Sequence, residues 1–210
     1  SRALLKKNLA IERFLQSIIK DKRIDPKHML IGDRNAIIIA ARSSGYGEIY
    51  ETNVACPACG ERATVEFDLS NPTIHESTIP EIGDVQMTSN GTYLLTTPVS
   101  NFRVELKLMT GEDENYVSQI MMSNKKHKMP ETNMSEQYKR MIVSVEGHSD
   151  RRVINHFLQN APARDMRFIR TVYKSISPDV KVLNDFNCQS CGHEQELEVP
   201  FGADFFWPDR

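Results

Sequence analysis

Two Cys-x-x-Cys-Gly motifs constrain this chain more than any other feature of its sequence. They are Cys56-Pro-Ala-Cys59-Gly60 and Cys188-Gln-Ser-Cys191-Gly192. A tight Cys-x-x-Cys turn places two thiolates where one metal ion can bind both, and the glycine permits the positive φ at which the chain turns away. An alternating, strand-like pattern follows each motif, as in a zinc ribbon. The sequence therefore predicts one structural Zn²⁺ ion with four thiolate ligands: Cys56, Cys59, Cys188 and Cys191.

The separation of the two motifs is unusual for a zinc ribbon. Cys59 and Cys188 are 129 positions apart, whereas the motifs of a compact ribbon are separated by about 15–20 residues. The entropy of loop closure grows only slowly with loop length, so an insertion of this size is tolerable. The alternative is two half-sites, each completed by His75, His148 or His193 or by a partner chain; His193 follows Cys191 too closely to share its chelate without strain.

A redox role for the cysteines is a weaker alternative, as is the interpretation of all four as inert free thiols. A thioredoxin-like Cys-x-x-Cys lies at the N-terminus of a helix, where the helix dipole lowers the pKa of a thiol. In this chain a strand pattern follows each pair instead.

The composition favours a soluble protein of one or two domains. The chain has 210 residues, 40% of them hydrophobic, and a formal net charge of -2. This near balance does not favour binding to nucleic acid or to an anionic membrane. No apolar run approaches the roughly 20 residues that span a bilayer, and no secretory signal opens the sequence. We therefore expect a cytosolic protein. The first residue is Ser1 rather than Met, so we do not expect Ser1 to be the native N-terminus.

The hydrophobic patterns predict an α+β fold of helical portions, antiparallel strands and a split four-cysteine zinc ribbon. An N-terminal helix has an apolar face and leaves Glu12, among other charged residues, for solvent. The apolar residues of that face are Leu4, Leu5, Ile11, Phe14, Leu15, Ile18 and Ile19. A second helix begins near Pro26, with Asp33 as a cap for its apolar part, and ends at Gly45-Tyr46-Gly47. The β-branched run Ile37–Ile39 could instead form a buried strand.

The middle and end of the chain divide into strands and then helices. Strands are predicted at 64–69 and 102–108, and a hairpin at 85–96 around Asn90-Gly91, a pair typical of type I′ turns. A helix begins at Thr110-Gly-Glu-Asp113, where a hydroxyl cap precedes acidic residues. A loop is predicted at 123–132, and further helices at 135–145, 150–159 and 163–176.

These patterns divide the chain into four parts. Residues 1–49 are an N-terminal helical segment, and 50–70 with 181–210 form the split zinc-ribbon module. Residues 71–109 are a hairpin and strand region, and 110–180 are a helical region.

No residue constellation typical of an enzyme occurs in the sequence. There is no Gly-rich phosphate loop, no Gly-x-Ser-x-Gly motif and no histidine spacing that suggests a triad. Glu112–Glu114 could be a carboxylate cluster, but acids in a first helical turn need no functional explanation. The C-terminal Phe205, Phe206 and Trp207 either pack into the protein's own core or bind a partner's groove as aromatic anchors.

The ordered combination of motifs resembles the baseplate hub and hub-assembly proteins of T4-like contractile-tailed phages. The resemblance spans most of the chain from about Ile31 onward. It rests on Ile31-Gly-Asp-Arg-Asn35, Ala41-Arg42, Gly45-Tyr46-Gly47, both cysteine motifs, Leu108-Met-Thr-Gly-Glu-Asp-Glu114 and the Phe-Phe-Trp-Pro ending.

The resemblance implies a late protein of a bacteriophage that acts in tail assembly, as a hub component or as a factor that promotes hub assembly. It implies no enzymatic chemistry, and the family's cysteines correspond to the four of this chain. The implied partners are other baseplate and tail proteins, with self-association possible, and the implied location is the virion or the host cytoplasm during assembly. The rival functions are a nucleic-acid-binding zinc ribbon or a redox protein. Acids on the strands after the motifs disfavour nucleic acid, because they repel phosphate: Glu66, Asp68, Glu194, Glu196 and Glu198.

Overall fold

The chain folds into helices and antiparallel strands, so the predicted α+β class is confirmed. The computed structural model describes residues 2–127, 133–201 and 203–206, with side chains described for 9–127, 134–201 and 204–206. The α-helices in this part are α1 (Arg2–Ile18), α2 (Ile31–Tyr46), α3 (Gly111–Lys126), α4 (Asn133–Met141), α5 (Arg151–Asn160), α6 (Ala163–Ile176) and α7 (Ala203–Phe206), and a 3-10 turn spans Pro26–His28.

Within the described residues, the strands form one four-stranded sheet and three two-stranded ribbons. The strands are β1 (Ile49–Ala55), β2 (Arg62–Asp68), β3 (Thr73–His75), β4 (Val85–Met87), β5 (Tyr93–Thr96), β6 (Arg103–Leu106), β7 (Ile142–Val145), β8 (Asp179–Lys181), β9 (Leu183–Asn187) and β10 (Glu194–Glu198). The sheet has the order β4-β5-β6-β7, and the ribbons are β1-β2, β3-β8 and β9-β10. Every pair is antiparallel.

The residues fall into two units. The first, here called the sheet unit, contains Ser1–Leu5, Lys27–Ile31 and Glu76–Pro178. The second, here called the ribbon unit, contains Lys6–Pro26, Gly32–His75 and Asp179–Arg210. Both segments of the predicted zinc-ribbon module lie in the ribbon unit. The finer division into four parts stays a prediction.

The sheet unit packs the four-stranded sheet and helices α3–α6 around an apolar core that includes Leu95, Val104, Ile154 and Ile169. Helix α6 spans Ala163–Ile176, the range expected from the sequence. Asp150 caps α5 by accepting a hydrogen bond from the Arg152 amide. At the start of α3, Thr110 and Asp113 form a capping box, so the expected hydroxyl cap is present.

The predicted hairpin is present, but its turn differs from the expected type. Strands β4 and β5 pair, with Val85 opposite Leu95. Gly91 has a φ of 76°, whereas Asn90 is not among the described residues with positive φ, so the turn is not type I′. The Gly91 amide donates to the Thr88 carbonyl instead, and a bulged glycine closes a longer loop.

One loop prediction and one helix prediction in the sheet unit were wrong in part. The region 123–132 was predicted as a loop, but α3 continues to Lys126; residues 128–132 lie outside the described part of the chain. The helix predicted for 135–145 ends at Met141, and Ile142–Val145 form β7. These residues pair with β6, so hydrogen bonding in the sheet outweighs the local helical pattern.

The ribbon unit has its own apolar core. Ile11 and Leu15 of α1 are buried there with Ile38 and Ile39 of α2, so the run 37–39 is helical rather than a strand. The expected apolar face of α1 is thus present in its described side chains, while the side chains of Leu4 and Leu5 lie outside the described set.

Two charged residues of the ribbon unit lie elsewhere than predicted. Glu12 was expected in solvent, but it is buried. Its Oε1 accepts a 2.8 Å hydrogen bond from Nη2 of Arg34, which is also buried. Asp33 is exposed in the first turn of α2, which begins at Ile31, so it is not the helix cap.

Candidate metal centre

The first cysteine motif forms the turn between β1 and β2. The Cys56 amide donates to the Glu61 carbonyl at 2.7 Å, and the Gly60 amide donates to the Cys56 carbonyl at 2.8 Å. Gly60 has a φ of 78°, in the left-handed region. The motif is therefore a tight knuckle with the predicted glycine conformation.

The second motif repeats this hydrogen bonding between β9 and β10. The Cys188 amide donates to the His193 carbonyl at 2.9 Å, and the Gly192 amide donates to the Cys188 carbonyl at 2.8 Å. Gly192 has a φ of 69°. The two knuckles therefore have the same local hydrogen bonding and the same glycine conformation.

The structure brings the four sulfur atoms together. Cys56 Sγ lies 3.7 Å from Cys191 Sγ, and Cys59 Sγ lies 3.7 Å from Cys188 Sγ. All four sulfurs lie within 4.8 Å of one another. A tetrahedron with metal–sulfur bonds of about 2.3 Å has edges of about 3.8 Å, whereas a disulfide bond is about 2.05 Å. The spacing fits four thiolates around one zinc ion and does not fit a pair of disulfides.

Each short contact joins one buried and one exposed cysteine. Cys56 and Cys188, the first of each knuckle, are buried in the core of the ribbon unit, while Cys59 and Cys191 are exposed. The two ribbons also meet through a side-chain-to-backbone hydrogen bond, in which Asn184 Nδ2 donates to the Glu66 carbonyl at 2.8 Å. The sulfur cluster therefore lies at the edge of the core, with one side open to solvent.

The thiols influence one another strongly. Burial raises the pKa of Cys56, but hydrogen bonds from the amides of Cys59 and Ala58 and from neighbouring thiols outweigh it and lower the pKa to about 6. The amide of His193 lowers the pKa of Cys191, but the adjacent thiols and burial outweigh it and raise the pKa to about 12. Four neighbouring thiols cannot all ionise without a cation, so the donor set suits a divalent metal.

The described histidines do not complete two separate half-sites. Among the described residues, the four cysteines form the group of three or more metal-ligand side chains that could hold an ion. The His193 ring lies 3.1 Å from Gln195 Oε1, and the amide and carbonyl of His148 bond to Val145. The convergence of the four sulfurs contradicts the separation of the two cysteine pairs that the half-site alternative requires, while metal binding by the cysteines stays a prediction.

The C-terminal aromatic cluster packs inward in its described part. Phe205 and Phe206 are 0% and 3% exposed. The Phe205 ring makes edge contacts with Tyr50 and Phe201, with centroids 4.8 Å and 5.0 Å apart. These two rings are therefore not available as partner anchors while packed in this core, and Trp207 lies outside the described residues.

Sequence reasoning missed the role of Arg42 beside this cluster. Its guanidinium is buried and lies over the rings of Tyr46, Tyr50 and Phe205, at 4.7 Å, 5.5 Å and 5.9 Å from their centroids. The Tyr50 hydroxyl donates to Asp204 Oδ2 at 2.8 Å. The available signal was the spacing of Arg42 and Tyr46, four residues apart on one helix, which predicts a cation–π pair.

Comparison with known protein families finds a match over nearly the whole chain. A protein-family model described as T4 bacteriophage base plate protein matches residues 3–207. No curated protein and no solved structure matches the chain. Within the described part of the chain, no helix is long and apolar enough to cross a membrane.

Proposed function

Because this chain belongs to the T4 bacteriophage base plate protein family, we propose that it acts at the hub of a phage tail baseplate, as a structural component or as a factor in hub assembly. The observation that carries the proposal is the family match, which covers nearly the whole chain. The family supports a structural role in the tail, and the hub is the finer part of the proposal. The partners are other baseplate and tail proteins. The site of action is the virion, or the host cytoplasm during assembly.

The second part of the proposal is that Cys56, Cys59, Cys188 and Cys191 bind one structural zinc ion. The convergence of the four sulfurs within 4.8 Å supports it. Four thiolates saturate tetrahedral zinc and leave no position open for water or substrate. The ion would join the β1-β2 and β9-β10 ribbons and would stabilise the fold rather than catalyse a reaction.

The site geometry disfavours the two rival functions. Each Cys-x-x-Cys lies in a turn between two strands rather than at a helix N-terminus, so no helix dipole acts on the thiols. The strands beside the knuckles carry exposed carboxylates that would repel nucleic acid: Glu66, Asp68, Glu194, Glu196 and Glu198. Protein–protein binding with a structural metal remains the function that these observations support best.

Native mass spectrometry tests the metal site. The purified protein should carry one zinc ion per chain, and chelation should remove it and expose four alkylatable thiols. Cys188→Ser should lower zinc occupancy, whereas Ser190→Ala, an exposed change in the same knuckle, should not. A metal-free protein with a mass loss that indicates disulfides would contradict the zinc proposal and leave the family assignment intact.

Deletion of the gene in the phage that encodes it tests the hub role. Electron microscopy of infected cells should show tails without complete baseplates, and the wild-type gene supplied in trans should restore them. Mass spectrometry of purified virions then separates a permanent component, which is present, from an assembly factor, which is absent. Normal baseplates in the deletion strain would contradict the proposal.

A further inference from the structure

The exposed face of α6 is a row of positive charges. Arg164, Arg167 and Arg170 are exposed and follow one another at intervals of three residues, with exposed Lys174 one turn beyond. The opposite face buries Ile169, Val172 and Ile176 in the sheet-unit core. None of the three arginines forms an ion pair with a carboxylate in the described part of the chain. We call Arg164, Arg167 and Arg170 the α6 ridge.

Helix stability does not explain this arrangement. Like charges three or four residues apart weaken a helix, and cations in its first turns oppose the helix dipole. The acid of α6, Asp165, is fully buried and attracts Arg164 as a nearby charge, without a direct ion pair. Its oxygens accept hydrogen bonds from the amides of Val99 and Ser100 and from the Ser100 hydroxyl, at 2.6–2.9 Å. The ridge therefore presents positive charge that its own helix leaves unbalanced.

The two ribbons beside the sulfur cluster carry the opposite charge. Glu51 lies directly opposite Glu66 in the β1-β2 ribbon, and Asp185 lies directly opposite Glu196 in the β9-β10 ribbon. All four carboxylates are exposed, and none forms an ion pair in the described part of the chain. Like charges directly opposite each other destabilise an antiparallel pair. We call these four residues the ribbon acids.

We propose that the α6 ridge of one copy of this protein docks on the ribbon acids of a second copy. The two surfaces have complementary charge, and each carries a like-charge repulsion that the other would relieve. Three residues of helix rise about 4.5 Å, close to the strand spacing of about 4.8 Å, so successive arginines can reach acids on neighbouring strands. Arginine also binds carboxylates with two parallel hydrogen bonds. The association goes beyond the proposed function and does not depend on which metal the cysteines bind.

The contact joins two different surfaces, so it is head-to-tail and can repeat from copy to copy. Because its charges are exposed to solvent, the association weakens as salt screens them. An assembly of identical copies by a salt-sensitive contact is the behaviour expected.

Analytical ultracentrifugation of the full chain with two charge-reversed variants tests the proposal. The ridge variant is Arg167→Glu with Arg170→Glu, and the ribbon variant is Glu66→Lys with Glu196→Lys. The wild type should exceed the 24.0 kDa of one chain at about 0.05 M salt and should approach it at about 0.5 M salt. Each variant alone should dissociate at least about tenfold more readily, because it sets like charge against like.

An equimolar mixture of the two variants gives the deciding result. The ridge variant gains acidic residues on its ridge and the ribbon variant gains basic residues on its ribbons, so each should bind the other more tightly than it binds itself. Association restored in the mixture, with circular dichroism showing both variants folded, would establish the contact. Lys125→Glu with Lys126→Glu is the matched control: it changes the net charge equally on an exposed part of α3 and should leave association unchanged.

Three results would overturn the proposal. A wild type that stays monomeric at low salt would show that the two surfaces do not bind each other. Association that neither variant weakens places the contact elsewhere on the chain. A mobility shift of a DNA duplex by the wild type, lost only in the ridge variant, without protein association, assigns the ridge to nucleic acid.

Discussion

The Sγ atoms of Cys59 and Cys188 lie 3.7 Å apart, although 129 positions separate the two residues. The largest segment of the sheet unit, Glu76–Pro178, lies between them in sequence. A covalent crosslink that closes a loop of about 100 residues stabilises a protein by about 4–5 kcal/mol in the chain-entropy account. A metal ion bound by both knuckles acts on the same loop, so its removal should affect the fold and not only the local turn.

The first prediction concerns the dependence of stability on zinc. Because zinc binds the folded protein, the free energy of unfolding should rise by about 1.4 kcal/mol for each tenfold increase in free zinc above the dissociation constant. Thermal unfolding in zinc buffers measures this slope. Cys188→Ser should remove it, and Ser190→Ala should keep it. A wild-type melting curve that does not respond to zinc would show that the ion is not structural.

The second prediction concerns the buried ion pair of Glu12 and Arg34, whose side chains are 7% and 3% exposed. Removal of one charge from a buried pair leaves the other without its partner, so Glu12→Gln and Arg34→Met should each lower the unfolding free energy by about 3–5 kcal/mol. The combined Glu12→Gln/Arg34→Met variant should lose less than the sum of the two single losses, because the second substitution removes a charge that has already lost this ion pair. Arg13→Gln, at an exposed neighbouring position, should change stability by less than about 0.5 kcal/mol.

Urea denaturation of these four variants is the measurement. If the double variant is as unstable as the sum of the single ones, the two charges do not act as a pair.

The structure agrees with the sequence-based predictions where the deciding interactions join residues close together in the sequence. Helix α6 was predicted at its exact bounds because its signals are local: a proline before it, a proline after it and an amphipathic period. The knuckles were predicted for the same reason, since the Cys-x-x-Cys-Gly spacing specifies its own turn. The meeting of the two knuckles followed from counting zinc ligands rather than from any local pattern.

The errors arose where a distant residue decided the outcome. The sequence pattern alone places Glu12 on the solvent face of an amphipathic helix. Its burial depends on the ion pair with Arg34, 22 positions away, which no local pattern predicts. Ile142–Val145 continue a helical pattern, but their pairing with β6 makes them a strand. The ribbon acids could be named from the sequence in part, whereas the register that sets Glu51 against Glu66 could not.

The third prediction compares two glycines with similar backbones. Gly83 and Gly91 have φ values of 70° and 76°. A Cβ at Gly83 would lie 2.6 Å from Phe168 Cζ, whereas a Cβ at Gly91 would meet nothing within 4 Å. Both alanine variants carry backbone strain of about 1–2 kcal/mol, and Gly83→Ala should lose a further 1–3 kcal/mol, roughly, from the clash. Equal losses in chemical denaturation would show that the Phe168 ring moves aside without penalty.

The last prediction concerns Asp165 and pH. Burial raises the pKa of its carboxyl group, but hydrogen bonds from Ser100 and from the Val99 amide outweigh it and hold the pKa below the usual 3.8. A group with a lowered folded pKa adds stability above its unfolded pKa and loses that contribution as the pH falls through the folded value.

In the Asp165→Asn variant, the side-chain NH2 group faces a backbone N–H donor where the wild type has an acceptor oxygen. The variant should therefore have an unfolding free energy about 2–3 kcal/mol lower than the wild type at pH 7. The difference from wild type should stay constant down to about pH 5 and should narrow below about pH 4, because the carboxyl group of the unfolded wild-type chain takes up a proton there before the folded carboxylate does. Unfolding free energies between pH 7 and pH 3 measure this, with Asp33→Asn, an exposed acid in α2, as the control that should follow the wild type. A difference that is the same at pH 7 and pH 3 would mean that Asp165 acts by its shape and not by its charge.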